Sequence, residues 1–142
     1  MVLRHILIED VPSEPFADSA AILGPSHTIE PGYQVMQLLA TTLSGRAVPT
    51  PEVATDVEAM AVKTGKNGGI AVLLLDRRAA ATDSTTVAVA LPSGSYSGTL
   101  HLLQSDSLKS KTVTRTDTPV SAQGTLRVVL PPNAVAVVEL AP

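Results

Sequence analysis

Carboxylates, histidines, serines and a glycine-rich turn are the residues of this chain that could do chemistry, and each set fails on spacing or placement. Glu9 and Asp10 close a short apolar run, where a strand end could present a carboxylate to a substrate. Two prolines come directly after, Pro12 and Pro15, so the plainer reading is a solvated strand end beside a loop. General acid–base work needs a second group within hydrogen-bond reach, and the local sequence offers none. His5, His27 and His101 are widely separated and show no H-x-x-x-H or similar ligand spacing, so no metal centre is expected. Serines are plentiful, but no G-x-S-x-G elbow occurs; Ser93-Gly94-Ser95 and Ser97-Gly98 sit in a turn and a strand start. Gly65, Gly68 and Gly69 with Lys66 could cradle an anion only if a helix came next, and the run beginning at Ile70 is strand-like. Tyr96 and His101 stand an odd number of residues apart on one strand, so they face opposite sides and cannot share a sugar platform. No catalytic, cofactor-binding or metal-ligating residue is therefore expected.

The elements that would position such groups divide the chain in two. Residues 1–50 hold a strand-like run over residues 3–8, a proline-rich loop, and a helix from about residue 31 to 44. Pro31 suits the first helical turn, and Gly45 suits a left-handed residue past the end. Tyr33, Val35, Met36, Leu38, Leu39, Ala40 and Leu43 cover more than half of the helix circumference, against a narrow stripe of Gln34, Gln37 and Thr41. A helix so apolar expects neighbours on two sides. Pro49-Thr50-Pro51 reads as a stiff linker into residues 51–142.

That second region is a series of short apolar runs at residues 57–62, 70–75, 85–91, 96–103, 108–115, 125–130 and 134–140. Turn signals separate them: residues 64–69, Pro92-Ser93-Gly94, Ser105-Asp106, Asp117-Thr118-Pro119 and Pro131-Pro132-Asn133. Residues 70–75 are continuously apolar, as in a strand covered on both faces. The pattern predicts a mainly β fold, an antiparallel β-sandwich of seven to eight strands preceded by one strand-loop-helix segment.

Composition narrows the functions. Of 142 residues, 44% are hydrophobic but only 2% aromatic, namely Phe16, Tyr33 and Tyr96, so the core must be aliphatic and stacking platforms for sugars or bases are scarce. The net charge is −3 and the basic residues are scattered, which excludes a nucleic-acid groove. Cysteine is absent, so disulfide and thiol chemistry are excluded. No apolar run approaches the ~18 residues that a membrane-spanning helix needs. The N-terminal apolar run is too short and too charged for a signal-peptide core, which leaves localisation open.

Two groups of motifs, in order, resemble the C-terminal end of a TIM-barrel glycoside hydrolase. Ile22-Leu23-Gly24-Pro25, Glu30-Pro31-Gly32-Tyr33 and Met36-Gln37-Leu38-Leu39 are similar to the "GLL" segment and "KP-x-Y" helix that end such barrels, with Glu30 and Pro25 as departures. Gly69-Ile70-Ala71-Val72-Leu73-Leu74-Leu75-Asp76-Arg77 resembles the "G-x-x-V-x-L-x-N-R" strand of the sandwich attached to the barrel, with Asp76 in place of Asn. Residues 130–140, from Leu130-Pro131-Pro132-Asn133 to Glu139-Leu140, resemble its closing "LPPxSVxVLEL" strand.

The resemblance implies residues 1–50 as a barrel-end remnant and residues 51–142 as the sandwich. It also implies that the acid/base and nucleophile carboxylates, about 5 Å apart in a retaining enzyme, lie upstream of Met1. On that reading the chain is not an enzyme by itself. It is an accessory module whose partner is a barrel domain, or another copy through an apolar face. The alternatives are an independent carbohydrate-binding or adhesive module with weak glycan contacts, or one part of a split glycosidase.

Overall fold

The computed structural model describes residues 31–50, 56–65, 67–76, 78, 82–106, 110 and 112–142. The expected strand at residues 3–8, with Glu9, Asp10, His5, His27 and Lys66, lies outside the described residues. The described fold is mainly β. One helix, α1 (Pro31–Thr42), precedes β1 (Gly45–Val48), β2 (Val57–Thr64), β3 (Ile70–Asp76), β4 (Thr85–Gln104), β5 (Thr114–Leu130) and β6 (Ala134–Ala141). All six strands belong to one antiparallel sheet in the order β1-β2-β3-β6-β4-β5.

One sheet becomes two layers because β4 and β5 are long and bent. The pairing of β4 with β5 shifts register between Ala90 and Ser95, at the Pro92-Ser93-Gly94 segment. Past that bulge, residues 95–104 pair with β5 and residues 97–104 also with β6, whereas residues 85–90 pair with β5 alone. The first half of β4 and the second half of β5 thus form a two-stranded arm over the broad layer. Between them lies the aliphatic core: Val72 and Leu74 of β3, Val87 of β4, Leu126, Val128 and Leu130 of β5, Ala136 and Val138 of β6, and Tyr96. Alternation does the sorting, since each strand sends every second side chain inward.

The other face of the broad layer carries α1. Leu38 is 2% exposed and packs on Leu103 and Val137, with Val35, Leu39, Leu43, Leu73 and Val135 around it. The two apolar faces of β3 are therefore both used, one by the arm and one by the helix. The far side of α1 leaves Met36 at 45% exposure. Thr42, buried at the helix end, satisfies its hydroxyl by donating to the Leu38 carbonyl at 2.6 Å.

Several expectations change. The predicted runs at 85–91 and 96–103 are one strand, because the proline-glycine segment bulges without leaving the ladder. Asp117-Thr118-Pro119 is no turn: it lies within β5, where Pro119 pairs with Thr99. Proline is accommodated because β5 is an edge strand of the sheet, so its missing N–H falls on the unpaired side. Gly45 is not left-handed; it opens β1, an unforeseen strand, where a Cβ would collide with the Lys63 carbonyl of β2. The turn at residues 64–69 is as expected, with Asn67 and Gly68 at positive φ and Thr64 N–H donating to the Gly69 carbonyl at 2.9 Å.

Candidate functional site

Charged side chains gather at one place on the helix-bearing face. His101 of β4 is register partner to both Val137 of β6 and Asp117 of β5, so flanking strands deliver groups to either side of its ring. Nδ1 lies 2.9 Å from Asp117 Oδ1, and Nε2 lies 3.0 Å from Glu139 Oε2. Arg115, two residues before Asp117 and on the same face, forks onto that carboxylate, Nε donating to Oδ1 at 2.9 Å and Nη2 to Oδ2 at 3.1 Å. Arg115 Nη2 also comes within 3.2 Å of His101 Nδ1. Nδ1 cannot donate to Asp117 and accept from Arg115 together, so these two contacts are alternatives. His101 is 8% exposed, while the Asp117 and Glu139 side chains are 46% and 44% exposed.

The cluster therefore straps three adjacent strands together. Its two carboxylates do not frame a cleft, because the imidazole ring occupies the space between them. Tyr96 lies in the core on the opposite face, as the odd spacing predicted. The Ser93-Gly94-Ser95 and Ser97-Gly98 segments run within β4.

A second polar cluster closes the connection from β3 to β4. The Asp76 carboxylate, its side chain fully covered, accepts from Arg78 Nε and Nη2 at 3.0 Å each and from the Arg78 backbone N–H at 2.9 Å. Arg78 Nη2 reaches on to the Asp83 carbonyl. Asp76 lines a cavity of about 240 Å³ beside the first turn of α1, otherwise bounded mainly by Val35, Leu75, Leu103, Val113 and Val135. A larger crevice, about 410 Å³, opens between the arm and the inner face of β1–β3. Among the described residues, no cluster of His, Asp and Glu could hold a metal ion, and no helix is long and apolar enough to cross a membrane.

Hydrogen bonding by Arg78 is the main reason the Asp76 carboxyl sits below its usual range; Arg115, then His101, do the same for Asp117. Each folded state thus favours the ionised form. The stabilisation is complete above the ordinary carboxylate value near ~4 and drains away as pH falls through the lowered folded values. Thermal melts should therefore show a loss of stability below about pH 4. Asp76→Asn and Asp117→Asn should each flatten part of that decline. Added salt should erase the Asp117 share first, since that pair is half exposed. An acid limb unchanged in both variants would contradict the assignment.

Local sequence could not reveal the His101 cluster, because Asp117 stands in a stretch with the composition of a turn. The available signal was the alternation Arg115-x-Asp117 and the lone Glu139 in an otherwise apolar closing strand. Which of these meet His101 depends on register alone.

No protein-family model and no curated protein matches the sequence. Solved structures do resemble the fold. An arabinose-bound GH51 α-L-arabinofuranosidase is similar over 96% of this chain with a TM-score of 0.72 at 12% identity, and that stretch is 23% of its own length. The thermostable GH51 α-L-arabinofuranosidase of Thermotoga petrophila RKU-1 is similar over 84% of this chain and 31% of its own, with a TM-score of 0.64 at 13% identity. The GH51 arabinofuranosidase of Xanthomonas axonopodis pv. citri gives 85%, 29% and 0.60 at 20% identity. At these identities the likeness is one of fold, and the chain spans less than a third of each enzyme.

Proposed function

We propose that this chain is the non-catalytic C-terminal β-sandwich module of a glycoside hydrolase, packed against a barrel that carries the catalytic carboxylates. The observation that carries this reading is the lopsided coverage: up to 96% of the chain is matched by 23% of an arabinofuranosidase. A whole enzyme would match both ways. The chain's own geometry supports it, since a glycosidase needs two carboxylates facing a sugar across open space. Here Asp117 and Glu139 face one histidine ring. Exposed Met36 and Met60, both on the helix-bearing side of the sheet, supply apolar surface on which a larger body could rest.

The chain alone is expected to show no hydrolysis of aryl arabinofuranosides and to self-associate at high concentration. Assay and analytical ultracentrifugation check both, and turnover by a monodisperse monomer would overturn the proposal. A carbohydrate-binding role gains no support from the core position of Tyr96. Flat titrations across a polysaccharide panel are the expected result.

A further inference from the structure

Both ring nitrogens of the buried His101 lie at hydrogen-bond distance from a carboxylate oxygen, Nδ1 from Asp117 and Nε2 from Glu139. An ionised carboxylate only accepts, and a neutral imidazole carries a single N–H. The two contacts are therefore both hydrogen bonds only when the ring is protonated. When the ring is neutral, one nitrogen turns a lone pair toward an anion. Only Nδ1 has a replacement donor beside it, Arg115 Nη2 at 3.2 Å; among the described residues Nε2 has Glu139 alone. Nη2 carries two hydrogens. One bonds Asp117 Oδ2 at 3.1 Å, and the other is free to meet Nδ1, so the guanidinium need not leave its carboxylate.

The other elements packed around the ring bring no further charge. Helix α1 has no charged side chain, and its ionisable Tyr33 stands in the first turn. Strand β3 sends Ala71 and Leu73 to this face, by register with Glu139 and Val137. The charged groups facing the imidazole are thus Arg115 and Asp117 of β5 and Glu139 of β6.

We propose that His101 and Arg115 form a one-proton switch in the strap between β4 and β5. The protonated ring donates from Nδ1 to Asp117. On losing that proton to solvent, Nδ1 accepts from Arg115 Nη2, while Nε2–H stays on Glu139. The tie from β4 to β6 is constant, and the tie to β5 passes from carboxylate to guanidinium. The charge of the helix-bearing face follows: the four groups balance with the ring protonated and carry one surplus negative charge with it neutral.

NMR of the full chain labelled with ¹⁵N tests this between about pH 8 and about pH 5, where histidines change charge. Signals of His101 are those lost in His101→Gln; if that variant does not fold, contacts of the ring with Val137 identify them. The Nδ1 resonance should carry the titration while Nε2 keeps its proton. The Arg115 side-chain N–H signals should move with the same midpoint, and coupling across an Nη2–H···Nδ1 bond should appear only above it. Arg115→Met should raise the midpoint by about one pH unit, through loss of one hydrogen bond and a nearby cation. Arg115 is half exposed, so this variant should fold. Arg115→Lys keeps the charge without the fork and should retain at least half of that rise. Arg115 signals that stay flat while His101 titrates would overturn the switch. So would loss of the proton from Nε2, no titration of His101 in this range, or full recovery of the parent midpoint in Arg115→Lys.

Discussion

Gly98→Ala should remove a large part of the stability of this domain. Gly98 sits in β4 between Val120 of β5 and Leu140 of β6, and a Cβ there would run into the Glu139 carbonyl oxygen and crowd the Leu140 Cα. The obstacle is backbone, so no side-chain rotation relieves it. Either β6 moves away, breaking the ladder between residues 97–104 and 134–141, or β4 twists out of register. The same movement drags Glu139 off His101, so the polar strap loosens with the sheet. The cost should be about 4 kcal/mol or more, at the exceptional end for point substitutions, against a total of roughly 5–15 kcal/mol for a domain. Urea denaturation measures it. Gly65→Ala is the control, because an added Cβ there meets nothing. A Gly98→Ala chain within about 1 kcal/mol of the parent would show that the close approach is not a constraint.

The second large effect separates the two apolar clusters. Leu74 is completely buried between arm and sheet, and Leu74→Ala should cost about 2–5 kcal/mol through lost transfer energy and the cavity left behind. That corresponds to a fall in Tm of roughly 4 °C for each kcal/mol. Leu38 is almost as buried, yet it belongs to the smaller cluster that holds α1 to the sheet. A twelve-residue helix is marginal alone in water, so Leu38→Ala should release α1 while the sheet survives. Hydrogen exchange checks this. After Leu38→Ala, amides of α1 should exchange far faster and those of β3 and β6 should not; after Leu74→Ala, protection should fall throughout. Uniform loss in both variants would mean that helix and sandwich form one cooperative unit.

If the chain is the sandwich module of a larger enzyme, its interior and its outer surfaces serve different ends. The buried layer, aliphatic but for Tyr96, gives rigidity. The exposed methionines are where contact with another body would be made.

Local pattern alone determined much of this protein. Helix α1 was legible from proline at its start and the 3.6-residue rhythm of its apolar positions. Strands β2, β3 and β6 were legible from unbroken or alternating aliphatic runs, and the β2–β3 hairpin from Asn67-Gly68. Each of these signals acts over a few residues, and a few residues suffice to read it.

What only the tertiary structure decided involves two or more strands at once. Pro92-Ser93-Gly94 and Asp117-Thr118-Pro119 look like chain reversals in isolation. Pairing to a neighbour holds the first as a bulge and the second as an extended edge. Gly45 and Gly98 look like flexible points, but each is a place where an adjoining backbone passes too close for a Cβ. Asp117 and Glu139 lie 16 and 38 residues beyond His101 in sequence. They meet it because antiparallel register puts the three side by side. Register is fixed by the summed burial of whole strands, and no single residue carries that sum.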